Sequence, residues 1–263
     1  PETYYPLKVY TCNNCFLVQV DEYKKSDAIF DSNYVYFSSY STSWLKHASD
    51  YADKMTERFG YNANSQVIEI ASNDGYLLQY FLQKGIKVMA IEPTANTAEV
   101  AIGKGIKTIV EFFGVELADR LRNHWDVKAD LLLGNNVLAH VPDIIDFVGG
   151  MKIILADEGV ITMEFPHLMQ LVDNNQFDTI YHEHFSYLSF YTAKQIFESQ
   201  GLEMFDVEEI PTHGGSLRIY AKHKEDSSKA ISENVFNLIK KETDKGLNGL
   251  PYYDNFQQKA LKV

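Results

Sequence analysis

The stretch Val67-Ile68-Glu69-Ile70-Ala71-Ser72-Asn73-Asp74-Gly75-Tyr76-Leu77 decides the fold. Its first four residues are β-branched and apolar apart from Glu69, which reads as a short buried strand. The Ser-Asn-Asp-Gly run that follows is turn chemistry. Beyond it, Tyr76-Leu77-Leu78-Gln79-Tyr80-Phe81-Leu82 reads as a helix that Gly85 ends. Strand, tight turn and helix together open a βαβ unit.

Working outward, the same alternation continues. Downstream, strands are predicted at 87–91, 106–110, 130–133 and 160–163, with helices at 94–104, 115–122 and 142–155 between them. Upstream, Trp44, Leu45, Ala48, Ala52, Met55 and Phe59 share one helical face, behind a Ser/Thr run that can supply the N-cap, and Gly60 stops them. Apolar strands alternating with helices give an α/β, doubly wound, Rossmann-like fold with a parallel sheet covered on both faces. From Tyr191 the pattern changes: a helix at 192–200, two strands at 204–210 and 216–221 that can form a hairpin, then an amphipathic helix carrying Ile231, Val235, Leu238 and Ile239.

With 263 residues the chain is long enough for one to two domains at roughly 150 residues each. Lys and Arg number 24 against 36 Asp and Glu, a net charge of -12, so its averaged field repels phosphate backbones and argues against a nucleic-acid partner. No apolar run approaches the ~20 residues that span a bilayer, and the N-terminus has no signal-peptide pattern, so the expectation is a cytoplasmic protein without a membrane partner. The two cysteines form Cys12-Asn13-Asn14-Cys15, a spacing that suits a metal knuckle, yet a closed zinc site needs four ligands. The chain starts at Pro1 without Met and stops at Val263 after a polar helical stretch, so both ends read as missing, with the remnant of a small module before the doubly wound domain and another domain opened by the last helix.

Ligands of doubly wound sheets bind beyond the carboxyl ends of the strands, which points to the 69–75 loop. A dinucleotide fingerprint needs three glycines to admit a pyrophosphate, whereas this loop has Gly75 alone with Asp74 beside it. Glu69 and Asp74, with Glu92 ending the next strand, suit a cationic, phosphate-free ligand with a ribose, as S-adenosylmethionine is. The plainer alternative is that Glu69 and Asp74 cap the following helix and Glu92 is a solvated acid. Phe112 and Phe113 can sandwich an adenine or simply anchor the core, and Asn135 and Asn136 can hydrogen-bond the ligand or merely form a turn.

The densest chemistry lies in Phe165-Pro166-His167 and in Tyr181-His182-Glu183-His184-Phe185-Ser186-Tyr187. Metal-binding helices space histidines by four, and the spacing here is two, so acid/base work is the better reading. On an extended segment His182 and His184 would share a face.

These segments, with Tyr36-Phe37-Ser38-Ser39-Tyr40-Ser41, Asn135-Asn136-Val137-Leu138-Ala139-His140-Val141 and Thr212-His213-Gly214-Gly215-Ser216-Leu217-Arg218, resemble the S-adenosylmethionine-dependent C-methyltransferases of nucleotide-linked deoxysugars, the family of the tetronitrose 3-C-methyltransferase. The resemblance implies a class I methyltransferase domain at 41–205, between the remnant of an N-terminal zinc-binding module and linker at 1–40 and the truncated start of a C-terminal α/β, sugar-nucleotide-binding domain at 206–263. It implies S-adenosylmethionine held by Glu69, Ser72, Asn73, Asp74, Gly75, Tyr76, Leu77, Glu92, Phe112, Phe113, Asn135, Asn136 and His140, and structural zinc at Cys12 and Cys15, where one cysteine pair is missing. The acceptor it implies is a small-molecule nucleotide-sugar, a thymidine-diphosphate-linked 4-keto sugar. His184 would be the base, Glu183 and Tyr181 would position the sugar or handle the proton at its keto oxygen, and Tyr36 or Tyr40 would close over the site. His167, His182, His213 and Arg218 would bind the acceptor. An O- or N-methyltransferase, or a non-catalytic nucleotide-sugar binding module, are the competing readings.

Overall fold

The computed structural model describes residues 3–30, 32 and 34–263. The chain divides into two compact units, one comprising Asp27–Gly134 and Asp146–Thr162, the other Pro1–Ser26, Asn135–Ile145 and Met163–Val263.

In chain order the elements are β1 (Val9–Thr11), β2 (Val18–Val20), α1 (Ser26–Ile29), α2 (Thr42–Phe59), β3 (Gln66–Ile70), α3 (Leu78–Gln83), β4 (Lys87–Ile91), α4 (Ala95–Gly103), β5 (Lys107–Ile109) and α5 (Val115–Asp119). They continue as β6 (Ala129–Asn135), α6 (Ile144–Ile154), β7 (Leu155–Pro166), α7 (Leu168–Asp173), β8 (Ser186–Tyr187), α8 (Phe190–Ser199), β9 (Leu202–Ile210), β10 (Ser216–His223), α9 (Glu233–Lys245) and α10 (Phe256–Ala260).

In the first unit the strands run β5-β4-β3-β6 in parallel, followed by the 155–162 part of β7. Val67 faces Val88 on one side and Leu131 on the other, and Ile68 faces Met89 and Leu132. Buried on both faces, these strands have no alternation: Val67, Ile68, Leu131, Leu132 and Leu133 are all fully buried. Strand order reverses between β3 and β6, so the crevice beyond their carboxyl ends is the ligand position of such sheets. Ser41 caps α2 as its position suggests, its hydroxyl accepting from the Trp44 backbone N–H at 3.2 Å.

In the second unit the 163–166 part of β7 is followed by β10 and β9, which form the antiparallel hairpin expected of them. A second sheet, β1-β2-β8, joins the N-terminal residues to the strand that follows the histidine segment, with Val18 opposite Tyr187. Val18 and Val20 pack with Leu168, Leu171, Val172 and Tyr187 in a small core of their own.

Several predicted elements change. β7 begins at Leu155 rather than Val160, because Asp157 and Glu158 at its exposed start carry no apolar signal. The helix predicted to Arg122 leaves α-geometry at Arg120 for a π-helical turn, Arg120–His124. Ile231 precedes α9 instead of lying within it. Residues 181–184 are not extended: the His184 N–H donates to the Tyr181 carbonyl at 3.1 Å, closing a turn. That turn separates His182 from His184, and the shared face expected of them does not form.

Candidate active site

The loop after β3 is held in a strained shape. Ala71 and Asn73 have φ of 54° and 50°, a left-handed conformation that costs a non-glycine residue on the order of 1–3 kcal/mol. Gly75, at φ 74°, has no alternative residue, since a Cβ there would lie 2.5 Å from Ile106 Cδ1. The strain is met by hydrogen bonds. Asn73 N–H donates to Glu92 Oε2 at 2.7 Å, and the Asn73 side chain both accepts from Ser38 N–H at 2.9 Å and donates to the Tyr36 carbonyl at 3.0 Å. Ser39 N–H donates to Asp74 Oδ2 at 3.3 Å, and Lys104 Nζ donates to the Asp74 carbonyl at 2.6 Å and to Ser39 Oγ at 3.0 Å.

Carboxyls dominate this loop. Glu69, Asp74 and Glu92 are all buried. Burial pushes the Glu69 carboxyl well above the usual carboxylate range against the opposing pull of the Tyr76 phenol, and nearby Glu92 and Asp74 add to the rise. Burial also raises Glu92, although Thr94 and Asn73 hydrogen-bond to it. Ser72 Oγ and Asp74 Oδ1 are buried without a hydrogen-bond partner among the described residues. Three buried carboxyls set against the ammonium of Lys104, 3.8 Å from Asp74 Oδ2, together with orphaned polar atoms, fit a cationic ligand without phosphate, and so fit S-adenosylmethionine.

The aromatic expectations divide. Phe113 packs edge-on to Phe147 with centroids 5.4 Å apart, as a core anchor does, while Phe112 is half exposed. Tyr36 and Tyr40 have exposed side chains, Tyr40 stacked on Phe37 at 5.4 Å. Leu77 and Tyr76 are buried, Tyr76 stacking on Trp44 at 6.0 Å.

The second unit gathers imidazoles. The Tyr181 hydroxyl meets His184 Nε2 at 2.8 Å, and His140 packs edge-on to the His184 ring at 4.6 Å. The 135–140 loop is tied to the turn by Phe185 N–H, which donates to the Ala139 carbonyl at 2.8 Å. Burial lowers His184 to about 4, with His213 adding to the effect, and lowers His140 to about 3, with His184 adding there. Burial and then Glu183 push Tyr181 up to about 12. At neutral pH both half-buried imidazoles are therefore uncharged proton acceptors, and the phenol keeps its proton.

Other predicted residues have different surroundings. Asn136 and His140, expected at the cofactor, take their partners here: Asn136 N–H donates to the Glu164 carbonyl at 2.7 Å and its amide Nδ2 lies 3.4 Å from His213 Nε2. Asn135 ends β6. His167, expected to bind the acceptor, is buried with Nε2 2.6 Å from Glu242 Oε1, and the Glu242 carboxylate also accepts the Phe190 and Tyr191 N–H groups that open α8. Arg218, given the same role, is buried and commits its guanidinium to Glu164 at 3.0 Å and Glu208 at 3.3 Å. Both are built into the scaffold. His182 Nε2 lies 3.0 Å from the Pro6 carbonyl, between Tyr5 and Tyr23. No sequence signal pointed to Lys104, which reaches Ser39 and Asp74 from far along the chain, or to Thr94, whose N–H donates to Glu92 two positions before it.

Zinc does not fit. Among the described residues no group of three or more His, Cys, Asp and Glu side chains is placed to hold a metal ion. Cys12 and Cys15 are free thiols, two ligands where a closed site needs four.

Two stretches of the chain match known protein families. Residues 44–207 match the methyltransferase domain family, and residues 211–263 match the family described as C-methyltransferase C-terminal domain. The C-methyltransferase NovU of Streptomyces niveus is 33% identical over 262 residues, covering 100% of this chain and 62% of that protein. The chain thus spans about three fifths of that relative's length. An S-adenosylmethionine-dependent methyltransferase from Clostridium acetobutylicum superposes with a TM-score of 0.54 at 11% identity, covering 68% of this chain and 92% of that one. The magnesium protoporphyrin IX methyltransferase of Synechocystis, solved with bound SAH, gives 0.52 at 12% identity over 67% of this chain and 82% of that one. The chain belongs to the methyltransferase domain family and has the Rossmann-like class I fold of S-adenosylmethionine-dependent methyltransferases.

Proposed function

We propose that the chain is an S-adenosylmethionine-dependent C-methyltransferase acting on a carbon beside the ketone of a nucleoside-diphosphate-linked 4-keto-deoxysugar. The observation that carries this reading is the hydrogen-bonded Tyr181–His184 pair, whose half-buried imidazole is held neutral, because methylation of oxygen or nitrogen does not require a base that forms an enolate. The match of residues 211–263 to a C-methyltransferase domain and the similarity to a C-methyltransferase over the whole chain support it. The sugar itself rests on the sequence resemblance.

S-adenosylmethionine supplies, when bound, an electrophilic methyl group on a sulfonium. Ser72, Asp74 and Glu69 would hold its cationic end and Glu92 its ribose, the carboxylate retaining acceptor capacity beyond its bonds to Asn73 and Thr94. On the acceptor side, the C–H proton ends on His184 Nε2, the atom that the Tyr181 hydroxyl now contacts. Tyr181 aligns that nitrogen, and Glu183 and His182 face the sugar. The C–H electron pair becomes the C=C bond of an enolate, whose carbon is the nucleophile. Held in place, the reacting carbon gains the advantage of proximity over a bimolecular encounter.

The test is turnover of thymidine-diphosphate 4-keto-6-deoxyglucose with labelled S-adenosylmethionine, with the product analysed by NMR. A new C–CH3 group is the expected result. A methyl on oxygen would overturn the carbon assignment, and cofactor binding with no methylated product would favour a binding module.

A further inference from the structure

Charge developing on the enolate oxygen calls for donors besides the Tyr181 hydroxyl, which shares a hydrogen bond with the base. The 212–215 loop and Asn136 carry the candidates. Three successive residues there are left-handed, His213 at φ 51°, Gly214 at 77° and Gly215 at 118°. The loop is clamped in that shape. Thr212 Oγ donates to Glu164 Oε1 at 3.0 Å, Gln176 Nε2 donates to the Gly214 carbonyl at 3.0 Å, and the Gly215 carbonyl accepts from His167 N–H at 3.0 Å. A Cβ at Gly214 or Gly215 would come within 2.5 Å of Gln176 or 2.7 Å of Gln170. His213 is not glycine, yet it takes the same strained conformation and presents an exposed imidazole. Strain of this kind persists where the surroundings over-determine it, and it gathers at working sites.

Asn136 is strained as well, at φ 56°, and its backbone is pinned to Glu164, the carboxylate that also holds Thr212 and Arg218. Asn136 Nδ2 lies 3.4 Å from His213 Nε2 and carries a second hydrogen to donate, while Oδ1, an acceptor, is buried without a hydrogen-bond partner among the described residues. Asn136 shares the 135–140 loop with His140, whose ring packs on His184 at 4.6 Å, and His213 disfavours a second positive charge at His184. The base and the imidazole of the clamped loop therefore act on the same small region.

We propose that His213 and Asn136 form the oxyanion site of the reaction, donating to the acceptor's carbonyl oxygen and carrying its charge in the enolate. As the C–H bond breaks, its proton goes to His184, its electron pair forms C=C, and the carbonyl π pair moves onto the oxygen held by His213 and Asn136. Donors preset for a developing oxyanion stabilise the transition state more than the ketone ground state, so they raise the rate of proton loss rather than the affinity. The 161–164 end of β7 acts through Glu164 as the positioning element for both groups.

This assignment rests on the enolate reading, and the experiment separates the two. The full chain is mixed in D2O with thymidine-diphosphate 4-keto-6-deoxyglucose and S-adenosylhomocysteine, and deuterium entry beside the ketone is followed by NMR. Wild type should exchange above the buffer blank. His213→Ala and Asn136→Ala should each slow exchange, His213→Ala by on the order of 10²–10³-fold, with KM little changed and S-adenosylhomocysteine affinity retained. His213→Gln, which keeps a donor, should recover part of the rate. Exchange in His213→Ala equal to wild type overturns the oxyanion site alone. Parallel loss of S-adenosylhomocysteine binding in all three variants assigns the loop a structural role and overturns it too, whereas no exchange by wild type rejects the enolate reading and this assignment together.

Discussion

The carboxyl loop beyond β3 is buried and the imidazole cluster around residues 181–184 is half-buried, and loss of solvent acts on them in opposite senses. In the loop it raises Glu69 and Glu92, so negative charge there is costly until a cation arrives. In the cluster it lowers His184 and His140, so positive charge there is costly and the rings stay free to accept a proton. One physical cause, loss of solvation of the charged form, thus prepares one region for a cationic ligand and the other for proton abstraction.

The comparison breaks most visibly at His184. His184→Ala should lower methylation by about 10²–10⁴-fold, the usual contribution of a general base, while the dissociation constant for S-adenosylmethionine stays unchanged. A calorimetric titration beside a product assay separates these, and near-normal turnover would remove the base from the scheme. Glu92→Gln should do the reverse, weakening cofactor binding by roughly 10- to 100-fold, or about 1.5–3 kcal/mol for charge-assisted hydrogen bonds, without abolishing enolisation. Tyr181→Phe should be milder. It deletes one hydrogen bond to His184 Nε2 and should reduce kcat by about 10-fold.

Stability against pH sharpens the contrast with the smallest effects. A histidine with its folded pKa depressed binds more protons when unfolded, so its contribution to stability is intact above about 6.5 and lost as pH falls toward about 4 for His184 and about 3 for His140. A carboxyl with its folded pKa raised does the opposite, its ionisation costing stability as pH rises above the unfolded value. Urea midpoints should therefore show His140→Asn gaining on wild type as pH falls from 6.5 to 4, and Glu69→Gln gaining on wild type as pH rises. Parallel curves for the two variants would mean that burial does not set these charges.

The two regions also differ in how far they can be read from sequence. The β3 loop is local: Glu69, Asp74 and Gly75 lie within a few residues, and Glu92 ends the neighbouring parallel strand, so periodicity alone brings them together. The cluster is not local. His140 meets His184 only because Phe185 pairs with Ala139, and Asn136 meets His213 across 77 positions. The β1-β2-β8 sheet was unreadable for the same reason, since β8 has only two residues and pairs with a strand near the other end of the chain. Buried polar pairs are equally hard to read. His167 and Arg218 carry the residue types of a binding site, yet His167 Nε2 pairs with Glu242 and Arg218 with Glu164 and Glu208, and no local pattern announces a partner so distant.

The division of labour between the two regions is tested most directly by measuring deuterium exchange and S-adenosylhomocysteine binding on His184→Ala and Glu92→Gln side by side. Loss of exchange with intact binding in His184→Ala, and weakened binding with intact exchange in Glu92→Gln, is the expected result. Exchange that survives in His184→Ala, or binding that is unaltered in Glu92→Gln, would contradict it.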